Sequence, residues 1–165
     1  MRSKKKLTSL WLENEKIKII DQTKLPFKLS FLNLKNLSDY ISAIKEMKVR
    51  GAPLIGVTAA FGLAESIKKD PNDKNVELSY NKLLKTRPTA INLKWAIDKI
   101  KAEVLRNNIK KRADIAFKIA KNIRKNDIEY CKRIGEHGYQ IIKNLYKKKK
   151  RTINILTHCN AGWLA

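Results

Sequence analysis

The sequence predicts an α+β fold in which a small antiparallel sheet precedes a long, mainly helical body and one apolar strand closes the chain. Three observations carry this reading. Short β-branched and aromatic segments cluster ahead of Asn33. From Leu37 to Tyr146 apolar residues recur at spacings of three and four, the period of a helix with one buried face. Beyond a basic run, Thr152-Ile153-Asn154-Ile155-Leu156-Thr157 is the one later stretch with the character of a buried strand.

Leu10-Trp11-Leu12, Lys16–Ile20 and Leu25–Phe31 read as the strands, with a turn near Asp21–Lys24 and Pro26 at a strand start or edge. Asn36 or Ser38 can cap a helix that places Leu37, Tyr40, Ile41, Ile44 and Met47 on one face. Pro53 has no N–H to lose and a helical φ, so it opens the next helix, with Leu54, Val57, Phe61 and Ala64 along one stripe through Ile67. Gly56 and Gly62 inside that helix each cost about 1 kcal/mol relative to alanine, which predicts that another helix packs very close. Asp70-Pro71-Asn72-Asp73 is a turn, and a short helix over Asn75–Leu84 carries Val76, Leu78, Leu83 and Leu84. Pro88 then opens a helix reaching about Asn107, with Ile91, Trp95, Ile97 and Ile100 on its apolar face. Separate helices are expected over 110–126 and 128–146.

At 165 residues the chain holds one domain, or one domain and the start of another. A hydrophobic content of 43% is enough for a core. The net charge of +22 attracts nucleic acid, anionic membranes and phosphorylated metabolites alike. Only eight of the basic residues are arginines, and the lysines are spread along the chain beside Asn and Ile, which fits a coding bias better than a groove. Lys4–Lys6 and Lys147–Arg151 read as a solvated tail and a solvated link. Aromatic residues are not interleaved with these runs, so a stacking platform for single strands is poorly supported. Cys131 and Cys159 lack the spacing of a disulfide framework or a zinc site. Leu7–Leu12 runs straight into Glu13, too short an apolar region for a signal peptide, and no run is long enough to span a membrane. The expected compartment is the reducing cytoplasm.

Chemistry concentrates in three stretches. In Val49-Arg50-Gly51-Ala52-Pro53-Leu54-Ile55-Gly56-Val57 a helix start follows a glycine and an arginine. Unpaired N–H groups and the positive end of the helix dipole suit an anion there, and Arg50 adds a planar fork. Taken alone, Arg-Gly-Ala-Pro is more often the mark of an ordinary turn beside a solvated arginine. Thr86-Arg87-Pro88-Thr89-Ala90-Ile91-Asn92-Leu93 repeats the device. Ile155-Leu156-Thr157-His158-Cys159-Asn160-Ala161-Gly162 places a cysteine in a loop after a strand, where open α/β sheets hold ligands. His137 reads as structural or solvated, and Cys131 as a small buried apolar residue.

These stretches, together with Asp21-Gln22-Thr23-Lys24-Leu25-Pro26 and Ile134-Gly135-Glu136-His137-Gly138, resemble the methylthioribose-1-phosphate isomerase family, in family order and over nearly the whole chain. The resemblance implies a helical N-terminal domain with a small sheet over residues 1–148. It implies that residues 149–165 supply the first strand and catalytic loop of an incomplete Rossmann-like domain. It further implies interconversion of 5-methylthioribose 1-phosphate and 5-methylthioribulose 1-phosphate in methionine salvage, without a metal or organic cofactor, by a protein that is a homodimer at full length. Arg50, Gly51, Ala52 and Arg87 map to substrate-binding positions and Cys159 to the catalytic cysteine, with His158 and Asn160 as supporting residues. The family's catalytic aspartate would lie beyond residue 165, so the chain is expected to be truncated and inactive alone. Ribose 1,5-bisphosphate isomerases and regulatory subunits of the eukaryotic initiation-factor exchange complex share the fold and remain as alternatives. The Asp-Gln-x-x-Leu-Pro and Thr-His-Cys-Asn-Ala-Gly forms favour the methylthioribose group. A basic nucleic-acid-binding module or a stand-alone scaffold is the less favoured reading.

Overall fold

The structure, a computed structural model, describes residues 8–14, 16–158, 162 and 164. Strands β1 (Leu10–Glu13), β2 (Lys16–Ile20) and β3 (Phe31–Leu34) form an antiparallel sheet in the order β1-β2-β3. Leu12 lies opposite Ile17, and Ile19 opposite Leu32. Alternation in β2 sends Ile17 and Ile19 fully into the core while Lys16 stays exposed and Lys18 half-buried.

The third strand therefore begins where the expected Leu25–Phe31 segment ends. The Asp21 carboxylate accepts from the Thr23 N–H at 3.0 Å and from its hydroxyl at 2.6 Å, which closes the chain into a 3-10 turn over Gln22–Lys24. A cis Leu25–Pro26 bond follows, and the alternating side chains Phe27 and Leu29 point into solvent.

Among the described residues five α-helices follow: α1 (Leu37–Lys45), α2 (Ala52–Lys69), α3 (Asp73–Leu84), α4 (Ile91–Leu105) and α5 (Arg112–Lys149). Asn36 caps α1 in a reciprocal box with Asp39, and Asn72 caps α3 through the Asn75 N–H. Met47 falls just past α1, at φ +56°, rather than on its buried face. Helix α2 is buried on nearly every side because α1, α3, α4 and α5 all pack against it. The glycine expectation holds. A Cβ on Gly62 would meet Tyr40 Cβ of α1 at 2.8 Å, and one on Gly56 would meet the Asn92 carbonyl oxygen of α4 at 2.8 Å.

Helix α4 starts at Ile91, not at Pro88: residues 87–90 form a turn closed by the Ala90 N–H on the Arg87 carbonyl at 3.0 Å. Its buried face is Leu93, Ala96, Ile97, Ile100 and Val104, whereas Ile91 and Trp95 are exposed. Leu78 on α3 is likewise exposed. The two helices expected over 110–146 are one 38-residue helix, about 57 Å long, since no proline or cap signal interrupts it near Asn126. Only its first third is buried. Arg112 fixes that end by donating to the Pro71 carbonyl at 2.8 Å, the Asn107 carbonyl at 3.2 Å and the Asp73 carboxylate. Cys131 is exposed, not buried, because it lies on the free length of α5.

The strand expected over Thr152–Thr157 is not formed. Residues 152–158 are irregular and largely exposed, and no strand among the described residues pairs with them.

Candidate functional site

The turn between α1 and α2 is held from both sides. The Val49 N–H donates to the Ala43 carbonyl at 3.2 Å, and the Lys48 carbonyl accepts from the Gln22 N–H at 3.0 Å. Val49 is fully buried, which leaves the next residue, Arg50, projecting from an anchored base. Gly51 adopts φ +91°, a conformation in which a Cβ is strained, and its carbonyl accepts from the Ile55 N–H at 3.0 Å. Pro53 occupies the first turn of α2, and no side chain caps the helix. The Ala52 and Leu54 N–H groups consequently lack intrahelical partners.

The start of α4 shares only part of this arrangement, since it has no positive-φ glycine and no proline in its first turn. It has no side-chain cap, and Arg87 stands just ahead of it in the turn that delivers Ile91. The close approach of Gly56 to Asn92 brings the first turns of α2 and α4 together. Among the described residues neither the Arg50 nor the Arg87 guanidinium forms a hydrogen bond or an ion pair. Two uncapped helix starts, each preceded by an arginine unpaired among the described residues, can receive an anion through backbone N–H groups and bidentate forks.

Arg50, Gly51, Ala52 and Arg87 thus sit at neighbouring helix ends. His158 is exposed in irregular chain, while Cys159 and Asn160 lie outside the described residues. Gln22, to which the sequence reading assigned no role, connects their segment to the turn. Its Nε2 donates to the Leu164 carbonyl at 2.7 Å while its backbone N–H holds Lys48. The signal available in the sequence was the Asp21-Gln22 pair itself, an aspartate-initiated turn followed by a side-chain amide.

Beside the paired helix starts, α2, α4 and α5 enclose a cavity of about 420 Å³. Pro53, Val57, Trp95, Ile119, Ile123 and Tyr130 give it apolar walls. Asp127 also lines it, with its carboxyl pushed above the usual range by burial. Lys99 lies at the cavity with its Nζ 5.6 Å from the Trp95 ring centroid. Among the described residues no group of three or more His, Cys, Asp or Glu side chains could hold a metal ion, and no helix is long and apolar enough to cross a membrane.

Fold and site together define an α+β domain in which two helices, α2 and α4, start without side-chain caps. The sequence model of the initiation factor 2 subunit family matches residues 48–165, and the chain belongs to that family. It is 48% identical over 149 residues to a methylthioribose-1-phosphate isomerase of Methylorubrum populi, covering 90% of this chain and 41% of that protein. It is 44% identical over 161 residues to the enzyme of that name from Escherichia coli O45:K1, covering 95% and 43%. The chain spans less than half the length of these curated relatives. Among solved structures, 5-methylthioribose 1-phosphate isomerase from Pyrococcus horikoshii matches with a TM-score of 0.77 and 31% identity, over 82% of this chain and 41% of that one. The delta subunit of translation initiation factor eIF-2B from A. fulgidus matches with a TM-score of 0.65 and 30% identity, over 74% and 38%. The resemblance read from the motifs agrees with these relatives.

Proposed function

We propose that the protein interconverts 5-methylthioribose 1-phosphate and 5-methylthioribulose 1-phosphate, an aldose-ketose isomerisation in methionine salvage. The observation that carries this reading is the pairing of uncapped α2 and α4 starts, each preceded by an arginine that has no partner among the described residues. A phosphate is the ligand such a pair suits best. Identities of 44–48% to isomerases over 90–95% of the chain support the same substrate. The net charge of +22 speeds the approach of an anionic sugar without contributing specificity.

In this reading the N–H groups of Gly51, Ala52 and Leu54 and the Arg50 and Arg87 guanidinium groups hold the phosphate on C1. The C1–O4 ring bond then breaks and O4 is protonated. Hydrogen moves from C2 to C1, and the C2 hydroxyl loses its proton as the ketone forms. Cys159 supplies acid-base chemistry at C1 and C2, with His158 and Asn160 orienting it, and no step passes through a metal or organic cofactor. Residues 1–148 form the helical domain and 149–165 open a Rossmann-like one. The working protein is a cytoplasmic homodimer.

The likeness to the eIF-2B delta subunit favours a second, non-catalytic reading, as a regulatory relative. Cys159 separates the two. In the full-length protein, Cys159→Ser abolishes ketose formation from 5-methylthioribose 1-phosphate while leaving substrate affinity within about threefold if the isomerase reading holds. A wild-type protein that binds no sugar phosphate and forms no ketose removes it.

A further inference from the structure

The backbone of Gln22 is fixed on both sides before its side chain makes any contact. The Asp21 N–H donates to the Ser30 carbonyl at 2.9 Å, the Gln22 N–H to the Lys48 carbonyl at 3.0 Å, and the Asp21 carboxylate closes the turn that follows. Asp21 and Gln22 are both buried. Lys48 stands two residues ahead of Arg50, so the base of the Gln22 side chain is set against the same turn from which Arg50 projects.

From that base the side-chain amide bridges 142 residues of sequence, its Nε2 donating to the Leu164 carbonyl at 2.7 Å. Leu164 follows Cys159 by five residues, a length of chain that spans at most about 18 Å. Among the described residues this is the only hydrogen bond between residues 152–165 and the rest of the chain. A buried amide needs a partner whatever its role. Here, however, the acceptor belongs to the segment that carries Cys159, and the donor is rooted beside the turn that carries Arg50 and Gly51. One side chain thereby sets the separation between the residues assigned to the phosphate and the segment assigned to C1 and C2.

We propose that Gln22 is a positioning residue for the isomerisation: it clasps the Cys159 segment to the turn between α1 and α2, and so fixes the approach of Cys159 to a sugar whose phosphate rests on the helix starts. The inference rests on the isomerase reading and deepens it by naming what aligns the two parts of the site. Misplacing a reacting group by about 1 Å can cost on the order of a hundredfold in rate. That cost falls on turnover rather than on binding, because the Gln22 amide is engaged with Leu164 and takes no part in the phosphate contacts.

The test compares the full-length wild-type protein with Gln22→Met, Gln22→Asn and Thr23→Val. Methionine keeps the length of the side chain and removes its donor, asparagine keeps the amide one methylene short, and all three variants retain the backbone N–H at position 22 that holds Lys48. Thr23→Val removes the hydroxyl bond to Asp21 and leaves the Leu164 link intact, so it reports what loosening the turn does by itself. Gln22→Met should lower kcat for ketose formation from 5-methylthioribose 1-phosphate by about tenfold to a hundredfold, while the substrate Kd from titration calorimetry stays within about threefold. Gln22→Asn should fall between it and wild type, and Thr23→Val should keep the wild-type kcat. Thermal unfolding by circular dichroism checks that each variant is folded, and Gln22→Asn, the milder change, carries the same test should Gln22→Met unfold. A kcat in Gln22→Met within about twofold of wild type overturns the inference but leaves an isomerase. A loss of affinity as large as the loss of kcat does the same, as does an equal loss of kcat in Thr23→Val, since either makes Gln22 a support of the turn alone. Wild-type protein that forms no ketose overturns the isomerase reading and this inference with it.

Discussion

Gly56→Ala and Gly135→Ala make the same chemical change in two helices and should move stability in opposite directions. At Gly135, on the free length of α5, an added Cβ meets nothing within 4 Å. Only the helix preference for alanine operates there, so the variant gains about 1 kcal/mol. At Gly56 the same gain is opposed by a Cβ placed 2.8 Å from the Asn92 carbonyl oxygen and 3.1 Å from its carbon. Those atoms are backbone, so relief requires α4 to move as a unit, at the cost of about 1–3 kcal/mol typical of overpacking. The net result is a loss of about 1 kcal/mol, and the two variants should differ by about 2 kcal/mol. Urea unfolding followed by far-ultraviolet circular dichroism reads this as midpoints displaced to either side of wild type with similar slopes. Because the displaced element is the start of α4, Gly56→Ala should also weaken phosphate binding, which Gly135→Ala leaves alone. A Gly56→Ala midpoint shifted upward as far as that of Gly135→Ala would refute the close packing of α2 on α4.

Three further outcomes follow from the packing and electrostatics. Arg112→Ala, which empties a buried guanidinium site serving two carbonyls and a carboxylate, should cost about 2 kcal/mol, whereas Asp73→Ala at its exposed partner should cost under about 1 kcal/mol; chemical denaturation separates them. The Tyr40 hydroxyl is buried without a partner among the described residues, and that burial drives its pKa far above the usual phenol range, so Tyr40→Phe should leave stability unchanged or raise it by about 1 kcal/mol in thermal unfolding. Burial raises the Asp127 carboxyl above its ordinary 3.8, so the folded state holds that proton more tightly than the unfolded one. The stability this contributes is complete below about pH 3.8 and is lost as pH rises through the raised value, so Asp127→Asn should flatten that part of the stability-pH profile and gain stability at neutral pH.

The parts of this structure that obey local rules were legible in the sequence. Asn36 caps α1, Pro53 opens α2, and Arg50–Ala52 stand at its start because backbone preferences and caps act over a few residues, whereas α4 starts at Ile91 and not at Pro88. The Gly56 and Gly62 approaches were legible for a related reason: glycine inside a helix needs a steric cause. The misreadings arose where pattern alone decides nothing. Leu25–Phe31 alternates like a strand, yet the Asp21 turn and the path of the chain leave Phe27 with no sheet to pack on. Ile91 and Trp95 look like a core stripe, but α2 packs on the adjacent face of α4 and leaves them to the cavity. A strand over 152–157 depends on neighbours that no residue near it supplies. Gln22 was invisible as a link because its partner, Leu164, lies 142 residues away.

The most direct test of the anion site is titration calorimetry of 5-methylthioribose 1-phosphate into the full-length wild-type protein and into Arg50→Ala and Arg87→Ala. Charge-assisted hydrogen bonds to phosphate are worth about 1.5–3 kcal/mol each, so each variant should bind about tenfold to a hundredfold more weakly. Equal affinity in wild type and both variants would mean that the paired starts of α2 and α4 do not hold the substrate phosphate.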